Sequence, residues 1–127
     1  MKAPKAKAHK VLLADPDPTT LTTLAENLRA AGYDVITASD GTEALARGQA
    51  DQPDIACLEV NLAGTSGLEV CRELKAVRPL PVLLAVSHLD DETSAGFMAV
   101  GAEDLLFKPY EIDEVIDKVA WYLNPQA

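Results

Sequence analysis

Several absences narrow what this chain can be. Cysteine is scarce: Cys57 and Cys71 are the only two, and neither stands at ligand-like spacing to the other or to His9 and His88. Cys57 lies inside an apolar run and Cys71 on the apolar face of a helical segment, so both read as buried structural thiols rather than as a disulfide or a metal site. No apolar run approaches the ~18 residues that a membrane span needs. The first residues, MKAPKAKAHK, lack the apolar stretch of a signal peptide. The expectation is a soluble, cytoplasmic chain with no membrane contact. Positive charge is also scarce beyond the start. Four of the 11 basic residues are Lys2, Lys5, Lys7 and Lys10, which leaves seven against 20 acidic residues from Val11 onward. An acidic body matches a phosphate backbone poorly, which argues against direct nucleic-acid binding by this domain.

What is present fits one domain. A chain of 127 residues with 48% apolar content can bury a substantial core. Residues 1–9 read as a flexible basic tail, 10–124 as the folded domain, and 125–127 as its end or the start of a linker. The punctuation between is regular. KVLLAD, YDVITA, DIACLEV, PLPVLLAV and EDLLF are short, continuous apolar runs of the kind that fully buried strands show. Between them lie helical patterns. Asp17 followed by Pro18 opens the first, Leu21, Leu24, Leu28 and Ala31 line it, and Gly32 ends it. Ser39 or Asp40 opens the second, which fades near Gly48. Leu68, Cys71, Leu74 and Val77 mark the third. The fourth has an acidic first turn, suited to a helix N-terminus, and the fifth carries Ile112, Val115, Ile116, Val119 and Leu123 on one face.

Strand and helix therefore alternate five times. Continuous rather than alternating apolar strands indicate a parallel sheet covered on both faces, with right-handed crossovers. Such doubly wound α/β folds carry function at the carboxyl ends of their strands. Those ends hold Asp15, Glu59, Val86 with Ser87, and Lys108. Two carboxylates and a lysine brought together make either a structural ion-pair network or a site for phosphate and a hard cation.

VLLADPDP, AAGYDVITASDGTEAL, PDIACLEVNLAGTSGLEV, PVLLAVS and GAEDLLFKPYEIDEV, in this order, resemble the receiver domain of bacterial two-component response regulators, from about Lys10 to Leu123. The resemblance implies a flavodoxin-like fold of five parallel strands. It also implies an aspartate on the third strand that takes phosphate from a histidine kinase, with two acids after the first strand binding Mg²⁺. A Thr or Ser after the fourth strand, an aromatic on the fifth and a lysine after it complete the family's set. This chain departs from that set at most positions. Asp15 matches the first acid and Lys108, with Pro109, the lysine. Pro16 stands for the second acid, Glu59 for the phosphoacceptor, Val86 for the Thr or Ser, and Leu105 for the aromatic. Asp17 and Ser87 are candidate substitutes, and Asn61 can still lend a backbone carbonyl.

These departures imply a receiver that is not an enzyme, that recognises signalling proteins without phosphorylation, and that needs no cofactor. Mg²⁺ is expected to bind weakly or not at all, with Asp15, Glu59 and Asn61 as the only weak ligand candidates. The longer Glu59 is expected to hydrogen-bond Lys108 directly and to hold one constitutive surface. Asp90, Asp91, Glu92, Glu103, Asp104, Glu111, Asp113, Glu114 and Asp117 make the last third acidic, which suits a basic partner better than a symmetric copy. The alternative is an unusual receiver that still accepts phosphate with Mg²⁺ from a histidine kinase. A flavin protein of the same fold is disfavoured because DPDPTT contains no glycine to wrap a phosphate. A metal-dependent hydrolase is disfavoured by the missing second acid and the lack of an activated nucleophile.

Overall fold

The computed structural model describes residues 8–124. Most of the expected basic tail, residues 1–7, and the end, 125–127, lie outside the described residues. The elements run β1 (Lys10–Ala14), α1 (Pro18–Ala30), β2 (Asp34–Ala38), α2 (Gly41–Asp51), β3 (Ile55–Glu59), α3 (Gly67–Val77), β4 (Val82–Val86), α4 (Asp91–Val100), β5 (Asp104–Phe107) and α5 (Ile112–Leu123). All four strand pairings are parallel, in the order β2-β1-β3-β4-β5. This is the flavodoxin-like winding, with its switch point between β1 and β3.

The continuous apolar strands have a direct cause. Successive side chains leave a strand on opposite faces, and here both faces are covered. Leu12, Ala56, Leu58, Val82 and Leu84 face one core with Val70, Cys71 and Leu74 of α3. Val11, Leu13, Ile55, Cys57 and Leu83 face the other with Leu24 and Leu28 of α1 and Val115 and Val119 of α5. Four helices start on a side-chain cap: Asp17, Asp40, Ser66 and Asp90 each accept from a backbone N–H in the first turn. Asp40, not Ser39, caps α2, and Glu43 reaches back to the Ser39 N–H.

Three local expectations are corrected. The second helix does not fade at Gly48 but runs to Asp51. Gly48 is buried, and a β-carbon there would lie 2.7 Å from Leu74 Cδ2, so the glycine is what lets α2 and α3 approach closely. Ala31 is exposed and Ala25 is buried in its place. Val77 ends α3 at 71% exposure, while Val70 supplies the burial that its spacing suggested for Val77. Among the described residues, no helix is long and apolar enough to cross a membrane.

Cys57 and Cys71 are both buried and free. Burial pushes the Cys57 thiol up to about 12 and the Cys71 thiol up to about 11. Thiolate is the reactive form, and it is nearly absent from both residues at neutral pH. A thiol-disulfide reagent at pH 8 should therefore titrate no fast thiol in the folded protein and both after denaturation, which a stopped-flow absorbance trace checks. One fast thiol in the native protein contradicts the packing described.

Candidate functional site

Parallel strands of one sheet end on the same side, so residues that follow β1, β3 and β5 are brought together. Asp15, Glu59 and Lys108 meet there. Asp15 is 2% exposed and Glu59 5% exposed, and they are the buried charged side chains among the described residues. Lys108 Nζ lies 2.8 Å from Asp15 Oδ2 and 3.6 Å from Glu59 Oε1. Asp15 Oδ1 accepts from the Asp17 N–H at 2.9 Å. Its Oδ2 also accepts from the Tyr110 hydroxyl at 3.3 Å. Glu59 Oε2 accepts from the Asn61 N–H. All four carboxylate oxygens are thus engaged, and the cluster carries two negative charges against one positive. Burial without partners would cost such groups several kcal/mol each, so the cluster holds together as a unit.

The direct Glu59–Lys108 hydrogen bond expected from the sequence is corrected in one respect. Glu59 forms an ion pair with Lys108, but 3.6 Å exceeds hydrogen-bond length and Asp15 is the closer partner. The physical reason is the extra methylene. It lets the Glu59 carboxylate fold back onto the Asn61 N–H of the β3–α3 turn, so its second oxygen is spent on Asn61 rather than on the lysine.

The other sequence candidates divide clearly. Asp17 does not take the place of a second acid. Its exposed carboxylate caps α1, accepting from the Thr19 N–H and the Thr20 hydroxyl, and those bonds hold it below the usual carboxylate range, the Thr20 bond most strongly. Pro16 is exposed and contributes no acid. Asn61 joins the site through its backbone N–H. Val86 is buried core, and its carbonyl accepts the Lys108 N–H at 2.8 Å, which fixes where the lysine leaves β5. Ser87 is exposed and lines a cleft between α1 and the β5–α5 turn. Leu105 packs against the core on the α2–α4 side, where no polar atom of its side chain can take part in a hydrogen bond. Sequence reasoning missed Tyr110. The KPY turn was legible, but only the fold brings that hydroxyl to Asp15, 95 positions away. Burial, then the Asp15 charge, pushes the Tyr110 hydroxyl well above its ordinary range, so it remains a donor.

The acidic last third is less uniform than its composition implies. Glu103 pairs with Lys75, and Asp104 with Lys118, which also approaches Glu114. Of the exposed acids that remain, Asp90, Asp91, Glu92, Glu111 and Asp113 gather at the N-terminal turns of α4 and α5 or just before them, and Asp117 lies further along α5. Leu89 and Phe107, both exposed, lie at the same end of the sheet.

Comparison with known proteins agrees with the fold. The family described as response regulator receiver domain matches residues 11–120. Over 111 residues the chain is 37% identical to the alkaline phosphatase synthesis transcriptional regulatory protein PhoP of Bacillus subtilis, covering 87% of this chain and 46% of that protein. The chain thus spans less than half the length of that relative. Among solved structures, the Vibrio cholerae chemotaxis protein CheY4 superposes with a TM-score of 0.85 at 28% identity, over 91% of this chain and 99% of that one. A response regulator from Chloroflexus aurantiacus gives 0.82 at 33% identity, over 92% and 98%.

Proposed function

The chain belongs to the family of response regulator receiver domains of two-component signalling, and within it we propose a phosphorylation-independent member, a protein-binding module rather than a catalyst. The observation that carries this reading is Lys108 held between Asp15 and Glu59 while Glu59 is turned onto Asn61. Phosphoryl transfer depends on positioning and charge neutralisation around an in-line attack. Here the carboxylate at the acceptor position is displaced by about one bond length, ~1.5 Å, and it is engaged in holding the turn. Misplacement of that order can cost ~100-fold in rate.

The residues present do not fit Mg²⁺. That ion demands near-octahedral oxygen geometry. The Asp15 and Glu59 oxygens already serve Lys108, Tyr110 and two backbone N–H groups, Asp17 serves its helix, and Pro16 has nothing to offer. Among the described residues, no three His, Cys, Asp or Glu side chains gather as a metal-holding group. The Asp15–Lys108–Glu59 cluster takes the place of a metal-dependent switch and keeps one surface constantly displayed. The partner suited to it is a signalling protein with a basic, partly apolar face, set against Leu89 and Phe107 and the acids around them.

Acetyl phosphate with Mg²⁺, followed by intact-protein mass measurement, tests the reading. The protein is expected to gain no phosphoryl group. The double variant Pro16→Asp with Glu59→Asp is expected to gain one, because the scaffold is that of the family and only the side chains differ. Stoichiometric phosphorylation of the unaltered protein at Glu59 or a neighbour would establish the alternative, a receiver that still takes phosphate.

A further inference from the structure

Beside the charge cluster, α1 and the β5–α5 turn enclose a cleft of about 510 Å³. Cavities of about 300–1,000 Å³ with apolar walls and a few polar groups are the usual size and character of small-molecule sites. Leu24, Pro109, Tyr110 and Ile112 supply the apolar lining, and Thr19, Thr23 and Ser87 bring hydroxyl-bearing side chains to it. The cleft also lies at the carboxyl end of the parallel sheet, where folds of this winding place their ligands.

Charge decides the class of ligand. Asp17 stands in the lining as an exposed carboxylate. The Thr20 hydroxyl and the Thr19 N–H donate to it and hold its carboxyl below the usual range without cancelling its charge. Lys108 lines the cleft too, but Asp15 and Glu59 already surround its ammonium. The lining thus holds one carboxylate and one ammonium, and the ammonium is already offset by Asp15 and Glu59 behind it, whereas Asp17 has no ion-pair partner among the described residues. An anion would meet net negative potential, whereas a cation with a flat apolar body would meet the opposite charge at Asp17 and apolar surface at Leu24, Tyr110 and Ile112. We propose that this cleft is a binding site for a free small molecule of that class, an aromatic or heteroaromatic cation.

Benzamidine is a suitable probe, with benzoate and benzyl alcohol as anionic and neutral controls of similar size. Titrated into the ¹⁵N-labelled protein, benzamidine is expected to shift the amides of Thr19–Leu24, Ser87 and Tyr110–Ile112 saturably, with Kd about 1 mM. Benzyl alcohol should bind several-fold more weakly and benzoate weakest. Asp17→Asn keeps a good helix cap and removes the charge, so it should erase the preference for benzamidine over benzyl alcohol while the spectrum stays native. Thr23→Trp, made from an exposed position, fills the cleft and should abolish all three responses. Scattered or non-saturating shifts, benzoate binding as well as benzamidine, or a preference that survives Asp17→Asn would each overturn the proposal. The titration contains neither a phosphoryl donor nor a metal, so its outcome is separate from that of the acetyl phosphate experiment.

Discussion

Lys108→Met is expected to destabilise the fold by about 3–5 kcal/mol, the cost of leaving buried charge without its partner. The side chain stays unbranched and nearly as long, one atom shorter, and loses its charge and donors. Asp15 and Glu59 then face each other at 2% and 5% exposure with no cation between them. Against a total stability of about 5–15 kcal/mol for a domain of this size, that is a large fraction. Glu59→Gln should behave differently. It leaves one carboxylate paired with one ammonium at 2.8 Å, and its effect should stay within about 1 kcal/mol. Adding Glu59→Gln to Lys108→Met should recover part of the loss, because the two changes act on one cluster and are not additive. Urea midpoints at unchanged slope measure all three. A Lys108→Met midpoint close to that of the unaltered protein would mean that the cluster is solvated and does not hold the site.

Gly41→Ala should be at least as damaging, by more than about 3 kcal/mol, for a steric reason remote from charge. Gly41 is the first residue of α2, and its N–H donates to the Ala63 carbonyl at 2.9 Å. A β-carbon there would lie 1.5 Å from the Thr65 carbonyl oxygen, which is backbone and cannot rotate aside. The β3–α3 turn would have to move off α2, and with it the Asn61 N–H that holds Glu59. Gly32→Ala is the control. Gly32 follows α1 at φ +103, and a β-carbon there would meet nothing within 4 Å, so that change carries backbone strain of about 1–2 kcal/mol and no collision. Thermal unfolding of the two variants side by side should rank them clearly, and equal midpoints would contradict the close approach at Gly41.

Much of this fold was legible in the chain because its signals are local. An apolar run bounded by turn residues marks a strand buried on both faces, and Asp17-Pro18 and the Ser39-Asp40 pair mark helix starts through bonds made within three residues, whereas the Ser66 cap of α3 was found only in the structure. Where local signals misled, packing had outweighed propensity. Glycine weakens a helix by about 1 kcal/mol, which is why residue type alone suggests that α2 fades at Gly48. Its contact with Leu74 offsets that cost. Asp17 illustrates the converse. Its capping role was written in the sequence, and a carboxylate committed to Thr19 and Thr20 cannot also replace the missing second acid.

The sequence by itself determined the parallel α/β winding and the strand ends at which charged residues collect, because those follow from residue type and order. Its resemblance to the receiver family added the expectation that an acid at position 16, an aspartate at 59, a hydroxyl at 86 and an aromatic at 105 are missing. Only the tertiary structure decided who pairs with whom: Lys108 nearest to Asp15, Glu59 shared between the lysine and its own turn, and Tyr110 closing on Asp15 from the far end of the sheet. Charge and spacing along a chain fix which groups can meet. Choosing among partners rests on differences of an ångström in side-chain reach, and those exist only once the backbone is folded.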